Sequence, residues 1–316
     1  MLRAQETEGF GVPRVEIGDW IETGFDWINN NLRAVFGIIR DGITSTTDGL
    51  ANLLNAPDAL VLAVLFSLLG WLIRDWKLAL LSMAMLTFVV SMDQWENAMD
   101  TLSMVVVAAG VALLIAIPVG IMAARSERVS NMVRPVLDLM QTMPAFVWLV
   151  PVVTLFSIGV TAGVIATIIF CLPPGVRFTE LGIRQVDSEV VEAGHAFGST
   201  PGQILRRIQL PLAMPTIMAG VNQVIMLALS MAVIAGLVGA GGLGSEVTSA
   251  IASLDIGLGF EAGLAVVVLA IYLDRVTAAI GASNPGTGRI ARLLRRRTAP
   301  AGGAEPVTST VTDRQT

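Results

Sequence analysis

Charge is scarce in this chain. Asp, Glu, Lys and Arg make up 14% of its 316 residues, where a soluble domain carries about 25%. With 54% apolar residues and a mean hydropathy of +0.72, the deficit excludes an ordinary soluble globule and points to the membrane class. Cysteine is nearly absent. The single Cys171 lies in an apolar run, reads as packing, and rules out a disulfide framework or a cysteine-ligated metal site. One histidine, His195, cannot build a histidine cluster. Lysine is reduced to Lys77, and no G-x-x-x-x-G-K-[ST] occurs, so the chain has no phosphate-cradling loop of that kind. Gly239, Gly241 and Gly244 do spell G-x-G-x-x-G. They follow a membrane-like run rather than a strand, so a turn closing a span is the better reading.

What is present is unevenly spread. Residues 1–58 hold nine acids against four arginines, whereas residues 289–297 hold five arginines and no acid. No signal peptide is expected, because the first apolar run begins near Ala59. Residues 1–16 show no periodicity and read as loose. From Ile17 to Phe36, Trp20, Ile21, Phe25, Ile28, Leu32 and Phe36 recur at helical spacing with acids on other faces. That predicts an amphipathic helix, lying either on the bilayer surface or on other protein. A weaker amphipathic piece runs to Leu54, broken at Thr44–Thr47 and ended by Pro57.

The spans follow. Ala59–Ile73 and Leu78–Met92 are apolar but short, against the roughly 20 residues a perpendicular helix needs; they read as two crossings or a shallow hairpin. Thr101–Ala124 is long enough to cross, with Pro118 as a kink. Leu139–Val176 is uncharged over 38 residues, about 57 Å of helix, which predicts two crossings broken at Gly159–Gly163. Pro215–Val238 and Gly257–Ile280 supply two more, the last with Asp274 and Arg275 near one end. The tail, residues 283–316, is basic and rich in Gly, Pro, Ser and Thr, and reads as disordered. The sequence thus divides into an N-terminal extension (1–56), a membrane domain (57–282) and a tail (283–316).

Alternate loops carry opposite charge. Arg74, Lys77, Arg125, Arg128, Arg134, Arg177, Arg184, Arg206, Arg207 and the C-terminal cluster fall on one side, whereas loops 93–100 and 239–256 hold acids and no Lys or Arg. The positive-inside rule then predicts an all-α polytopic protein of about seven spans, N-terminus outside and C-terminus inside. No internal repeat is visible, so twofold symmetry would come from dimerisation.

Such a protein needs an energy source if it moves a solute uphill. Ion-driven carriers place ionisable groups within their spans; here Asn222, Gln223, Gln141 and Ser230 are the strongest polar groups in the central runs. Matched broken helices are also missing. Energy therefore has to enter from another subunit, and the place for contact is the polar island at about 188–212, flanked by uncharged runs. Its residues Glu192-Ala193-Gly194, then Gly198, then Ile208-Gln209-Leu210-Pro211 resemble the EAA loop of ABC importer permeases. That family's order is E-A-A, three residues, G, nine residues, I-x-L-P. The one departure is Gly194 for Ala, which costs about 1 kcal/mol of helix propensity. A short helix around Glu189–Phe197, a turn at Gly198–Gly202 and a second helical piece from Gln203 would form a knob. Thr200 is its candidate cap, Pro201 falls in a first turn, and Glu192 would favour the first helix's dipole.

The stretches Leu137–Pro151 and Gln209–Gln223, and Gly241-Gly242-Leu243-Gly244, are similar to glycine betaine/proline permeases of osmoprotectant uptake, over about residues 16–282. The resemblance implies a type I ABC importer (MetI-like) permease fold in a bacterial inner membrane, without a catalytic or metal site. It also implies a homodimer with two ATP-binding subunits, which hold ATP and Mg, and an external substrate-binding protein; nucleic acid plays no part. Quaternary ammonium solutes lie against aromatic faces, which makes Phe146, Trp148 and Phe156, with Asn222 and Gln223, the candidate translocation path. Competing readings are a permease for choline or another quaternary amine or amino acid, a secondary carrier, and a tension-sensing scaffold.

Overall fold

Apolar residues at helical spacing dominate the chain, and the computed structural model, which describes residues 17–282, is helical with no strand among those residues. The loose stretch expected at 1–16 and the basic tail at 283–316 lie outside the described residues.

The centre is formed by α4 (Trp95–Arg125), α7 (Val160–Arg184) and α10 (Leu210–Ala235). These helices meet through small side chains. Ala98, Ala108, Ala112, Ala116, Ala162, Ala166, Ala228 and Ala232 are fully buried, which lets backbones approach as they do in membrane bundles. Arg184 at the end of α7 donates to the Ala123 carbonyl of α4 at 2.9 Å, so both helices end together at an arginine-bearing end of the bundle. A glycine turn after α10 leads into α11 (Gly242–Ser253) and then α12 (Ile256–Ala282), which packs back on α10. Leu243 N–H, in the first turn of α11, donates to Thr101 Oγ1 of α4 at 2.8 Å. The G-x-G-x-x-G glycines thus close a span, as the sequence suggests.

Four helical stretches are long and apolar enough to cross a membrane: α4, α7, Pro201–Val238 and α12. Two further pairs pass that test only when taken together, each bent by about 100°. One is α1 (Ile17–Asn55) with α2 (Ala59–Ile73); the other is α5 (Glu127–Thr142) with α6 (Ala145–Phe156). The remaining apolar helix, α3 (Trp76–Ser91), forms a hairpin with α2. At 15 and 16 residues these two are roughly 23 Å long, short of a hydrocarbon core of about 30 Å.

Two sequence expectations need correction. Helix α1 runs unbroken through Thr44–Thr47, because the Thr44 and Thr46 hydroxyls find partners without leaving the helix. Thr46 donates to the Gly42 carbonyl at 2.7 Å, and Thr44 shares a 2.7 Å bond with Thr161 of α7. The C-terminal half of α1 is packed on protein, with Asn55 donating to Asp100 of α4 at 3.0 Å, whereas Trp20 and Trp27 in the other half are exposed.

Nor is Leu139–Val176 a pair of straight crossings. Pro144 disfavours the helical conformation for the residue before it, and Met143 is extended, with ψ 133°. The chain therefore turns by 101° between α5 and α6. Trp148 spans the corner, its Nε1 donating to the Met140 carbonyl at 3.3 Å.

Candidate functional site

Between α7 and α10 the polar island folds into a compact knob. Asp187 caps α8 (Ser188–Ala196), its carboxylate accepting from Glu189 N–H at 2.9 Å. After α8 the chain reverses through Gly198, whose φ of +77° lies in the left-handed region that a side chain disfavours. Ser199 N–H returns to the Gly194 carbonyl at 3.1 Å and Gly198 N–H to His195 at 2.9 Å. A capping box then starts α9 (Pro201–Ile204): Thr200 N–H donates to Gln203 Oε1 at 2.8 Å, and Gln203 N–H to Thr200 Oγ1 at 3.4 Å. Thr200 and Pro201 hold the roles their identities suggest. The second limb begins at Pro201 rather than Gln203.

This limb does not stop at the membrane domain. A widened turn, Leu205–Gln209, joins α9 to α10, with Leu210 N–H reaching back five residues to the Leu205 carbonyl. Pro211 explains the widening. It has no N–H, and its ring crowds the carbonyl four residues back, so one extra residue per turn relieves the helix.

The seven motif residues divide by the direction they serve. Gly194 is buried against the second limb: a Cβ there would stand 2.8 Å from Ile208 Cδ1 and 3.4 Å from Ile204 Cγ1. The glycine that departs from the E-A-A pattern therefore allows the two limbs to touch. Leu210 packs on a small core of Ile183, Leu205, Ala213 and Ile217, which anchors the knob to α7 and α10. Glu192 and Ala193 face outward. Glu192 lies in the middle of α8, not at its start, and Glu189 occupies the first turn, so the dipole argument belongs to Glu189.

Two groups of residues escaped the sequence reading. Phe197, at the tip of the turn, is 90% exposed, an apolar ring with nothing among the described residues to cover it. Its signal in the sequence was an aromatic residue inside the polar island at about 188–212. The second group sits where α7 hands over to α8. Glu180 is 7% exposed and accepts from Ser130 Oγ at 2.8 Å, Arg184 Nε at 3.0 Å and Arg134 Nη2 at 3.3 Å. Arg177 pairs with Asp138 beside it, and a cavity of about 370 Å³ lies among these charges. The arginines read as topology signals in the sequence; two of their ion pairs join α5 to α7, which only the fold brings near. The stretch beneath the knob is thus laced by charge across α4, α5 and α7.

The residues expected along a solute path are not gathered in one place. Phe156 is buried and meets Phe36 of α1 edge to face at 5.2 Å between ring centres. Phe146 is exposed, and Trp148 lines a cavity against α1. Asn222 is committed to α12, donating to Asp274 Oδ1 at 2.9 Å and accepting from Thr277 Oγ1 at 2.6 Å. Gln223 beside it is exposed on the surface of α10.

Comparison with known proteins fits this arrangement. The model of the family described as binding-protein-dependent transport system inner membrane component matches residues 116–283. The glycine betaine transport system permease protein OpuAB of Bacillus subtilis is 43% identical over 277 residues, 88% of this chain and 98% of that protein. The glycine betaine/proline betaine transport system permease protein ProW of Escherichia coli is 44% identical over 274 residues, 87% of this chain and 77% of that protein. Among solved structures, a chain of the inward-facing MetNI methionine ABC transporter is similar with a TM-score of 0.53 and 22% identity, covering 57% of this chain and 91% of that one.

Proposed function

The chain belongs to the family of binding-protein-dependent transport system inner membrane components, and we propose that it is the permease of an ATP-driven importer of glycine betaine and proline betaine-type solutes. The observation that carries the reading is the knob of α8 and α9. It presents Glu192, Ala193 and Phe197 outward, while Gly194 and Ile208 bring its two limbs together and Leu210 ties it to the bundle. An ATP-binding subunit seated on that outer face would move α7 and α10 together, since one limb of the knob follows α7 and the other leads into α10. The chain itself contributes no phosphate-cradling loop; ATP and Mg would be held by that subunit.

The rest of the assembly follows from the same reading. Two permease copies, two ATP-binding subunits and an external solute-binding protein would sit in a bacterial cytoplasmic membrane. The arginine-bearing end of the bundle and the knob would face the cytoplasm, as the charge of the loops favours, and α1 would begin outside. Betaine as solute is supported by relatives whose names carry it and which match along most of this chain.

Uptake into vesicles tests the proposal. With the chain, its ATP-binding subunit and its binding protein reconstituted together, labelled glycine betaine should accumulate only when ATP is supplied. Accumulation without ATP, or of unrelated solutes alone, would overturn it.

A further inference from the structure

We propose that the cavity between α1 and α6 is a binding site for a methylated ammonium group on a small soluble solute. The inference deepens the uptake reading and rests on it for the occupant's biological source; the chemistry of the cavity stands by itself. Its volume is about 610 Å³, within the range of roughly 300–1,000 Å³ typical of small-molecule sites. Ile21 and Phe25 of α1 form one wall, Met143 and Trp148 at the α5–α6 corner form another, and Glu22 and Asp26 stand at the α1 side. Among the described residues lining it there are two carboxylates and no lysine or arginine.

Each of these features narrows the ligand. Two carboxylates beside a low-dielectric wall select a cation. A hydrated metal ion would need several oxygen ligands, and the walls are chiefly apolar. Thr154 there already donates its hydroxyl to the Val150 carbonyl at 2.9 Å, and no group of three metal-binding side chains occurs among the described residues. A primary ammonium would carry three N–H donors into the same apolar surroundings. A quaternary ammonium has none to satisfy. Its charge is spread over methyl groups, which pack on Ile21 and Met143 and are attracted to aromatic faces. Trp148 is already held for such a contact by its bond to the Met140 carbonyl, so little ordering accompanies binding. The same carboxylates repel a carboxylate on the ligand, so a net cation such as choline should bind more tightly than the zwitterion glycine betaine.

Calorimetry on the full chain with its ATP-binding partner tests this, in nanodiscs of phosphatidylethanolamine and phosphatidylglycerol and without binding protein. Tetramethylammonium and choline should bind saturably. The uncharged choline isostere 3,3-dimethylbutan-1-ol should bind at least tenfold more weakly. Glu22 and Asp26 are exposed on α1, so E22Q/D26N should keep the helix and still lower choline affinity at least tenfold; F25A should lower it for every methylated cation. A flat titration with both cations, equal binding of the isostere, or unchanged affinity in E22Q/D26N would overturn the site. Repeating the titration in phosphatidylcholine discs separates the two sources of this head group. Loss of choline binding there would give the site to lipid and overturn the soluble-solute assignment; retained binding supports it. If ATP-driven betaine uptake proceeds while the calorimetry is flat, this inference alone falls. If choline binds but no methylated solute is taken up, the transport reading falls instead.

Discussion

Phe197 stands at the tip of the knob with 90% of its surface open to solvent. Truncating such a ring should leave the fold within about 0.5 kcal/mol. At the centre of an interface the same truncation costs about 2 kcal/mol or more. F197A should therefore insert and fold normally yet release the ATP-binding subunit more than tenfold more readily, measured by co-purification at falling concentration. Next to it, Gly198 has open space around it but a φ of +77°. A β-branched residue there fits sterically and still costs about 1–3 kcal/mol of backbone strain. G198V should thus reorient α8 against α9 and abolish uptake at normal membrane expression; unchanged uptake would count against a docking role for this turn.

At the scale of elements, the helix most worth perturbing is α7, because it runs straight into the knob. Glu180 ties it to Ser130 and Arg134 of α5, and Arg184 carries the tie to α4. Removing the carboxylate's charge leaves two guanidiniums without their buried partner. Both arginines are more than a third exposed, so the loss should be about 1–3 kcal/mol rather than the full cost of a buried pair. E180Q should lower the midpoint of thermal unfolding and reduce solute moved per ATP hydrolysed, because α5 is then tied to α7 by the Arg177–Asp138 pair without the buried carboxylate; an unaltered ratio would mean that the network only stabilises.

The same elements show what could be read in advance. The knob was legible to within two residues because its rules are local: Thr200 caps, Pro201 starts, and Gly198 turns. The corner at Met143-Pro144 was not read, although the restriction on a residue before proline is local, because the long uncharged run around it placed the only break at Gly159–Gly163. The continuity of α1 through Thr44–Thr47 was not legible, because it depends on a bond to Thr161, 117 residues away. The same holds for Glu180, whose partners Ser130 and Arg134 arrive from another helix, and for Asn222, which the fold commits to Asp274.

For the whole molecule, the proposed topology makes two predictions that do not depend on any one contact. The purified chain should hydrolyse no ATP, and activity surviving removal of contaminating ATPases would break the division of labour between subunits. A label that cannot cross membranes should fail to reach a C-terminal tag in intact cells; ready labelling there would invert the assembly and put the knob outside. Finally, Pro201–Val238 is a single run of 38 residues, about 57 Å of helix. Its widened turn lies close to the knob, and from Leu210 to Ala235 it continues as one α-helix. Whatever tilts the tip must swing the opposite mouth in the same stroke, so an intermediate with both mouths moving independently should never be populated.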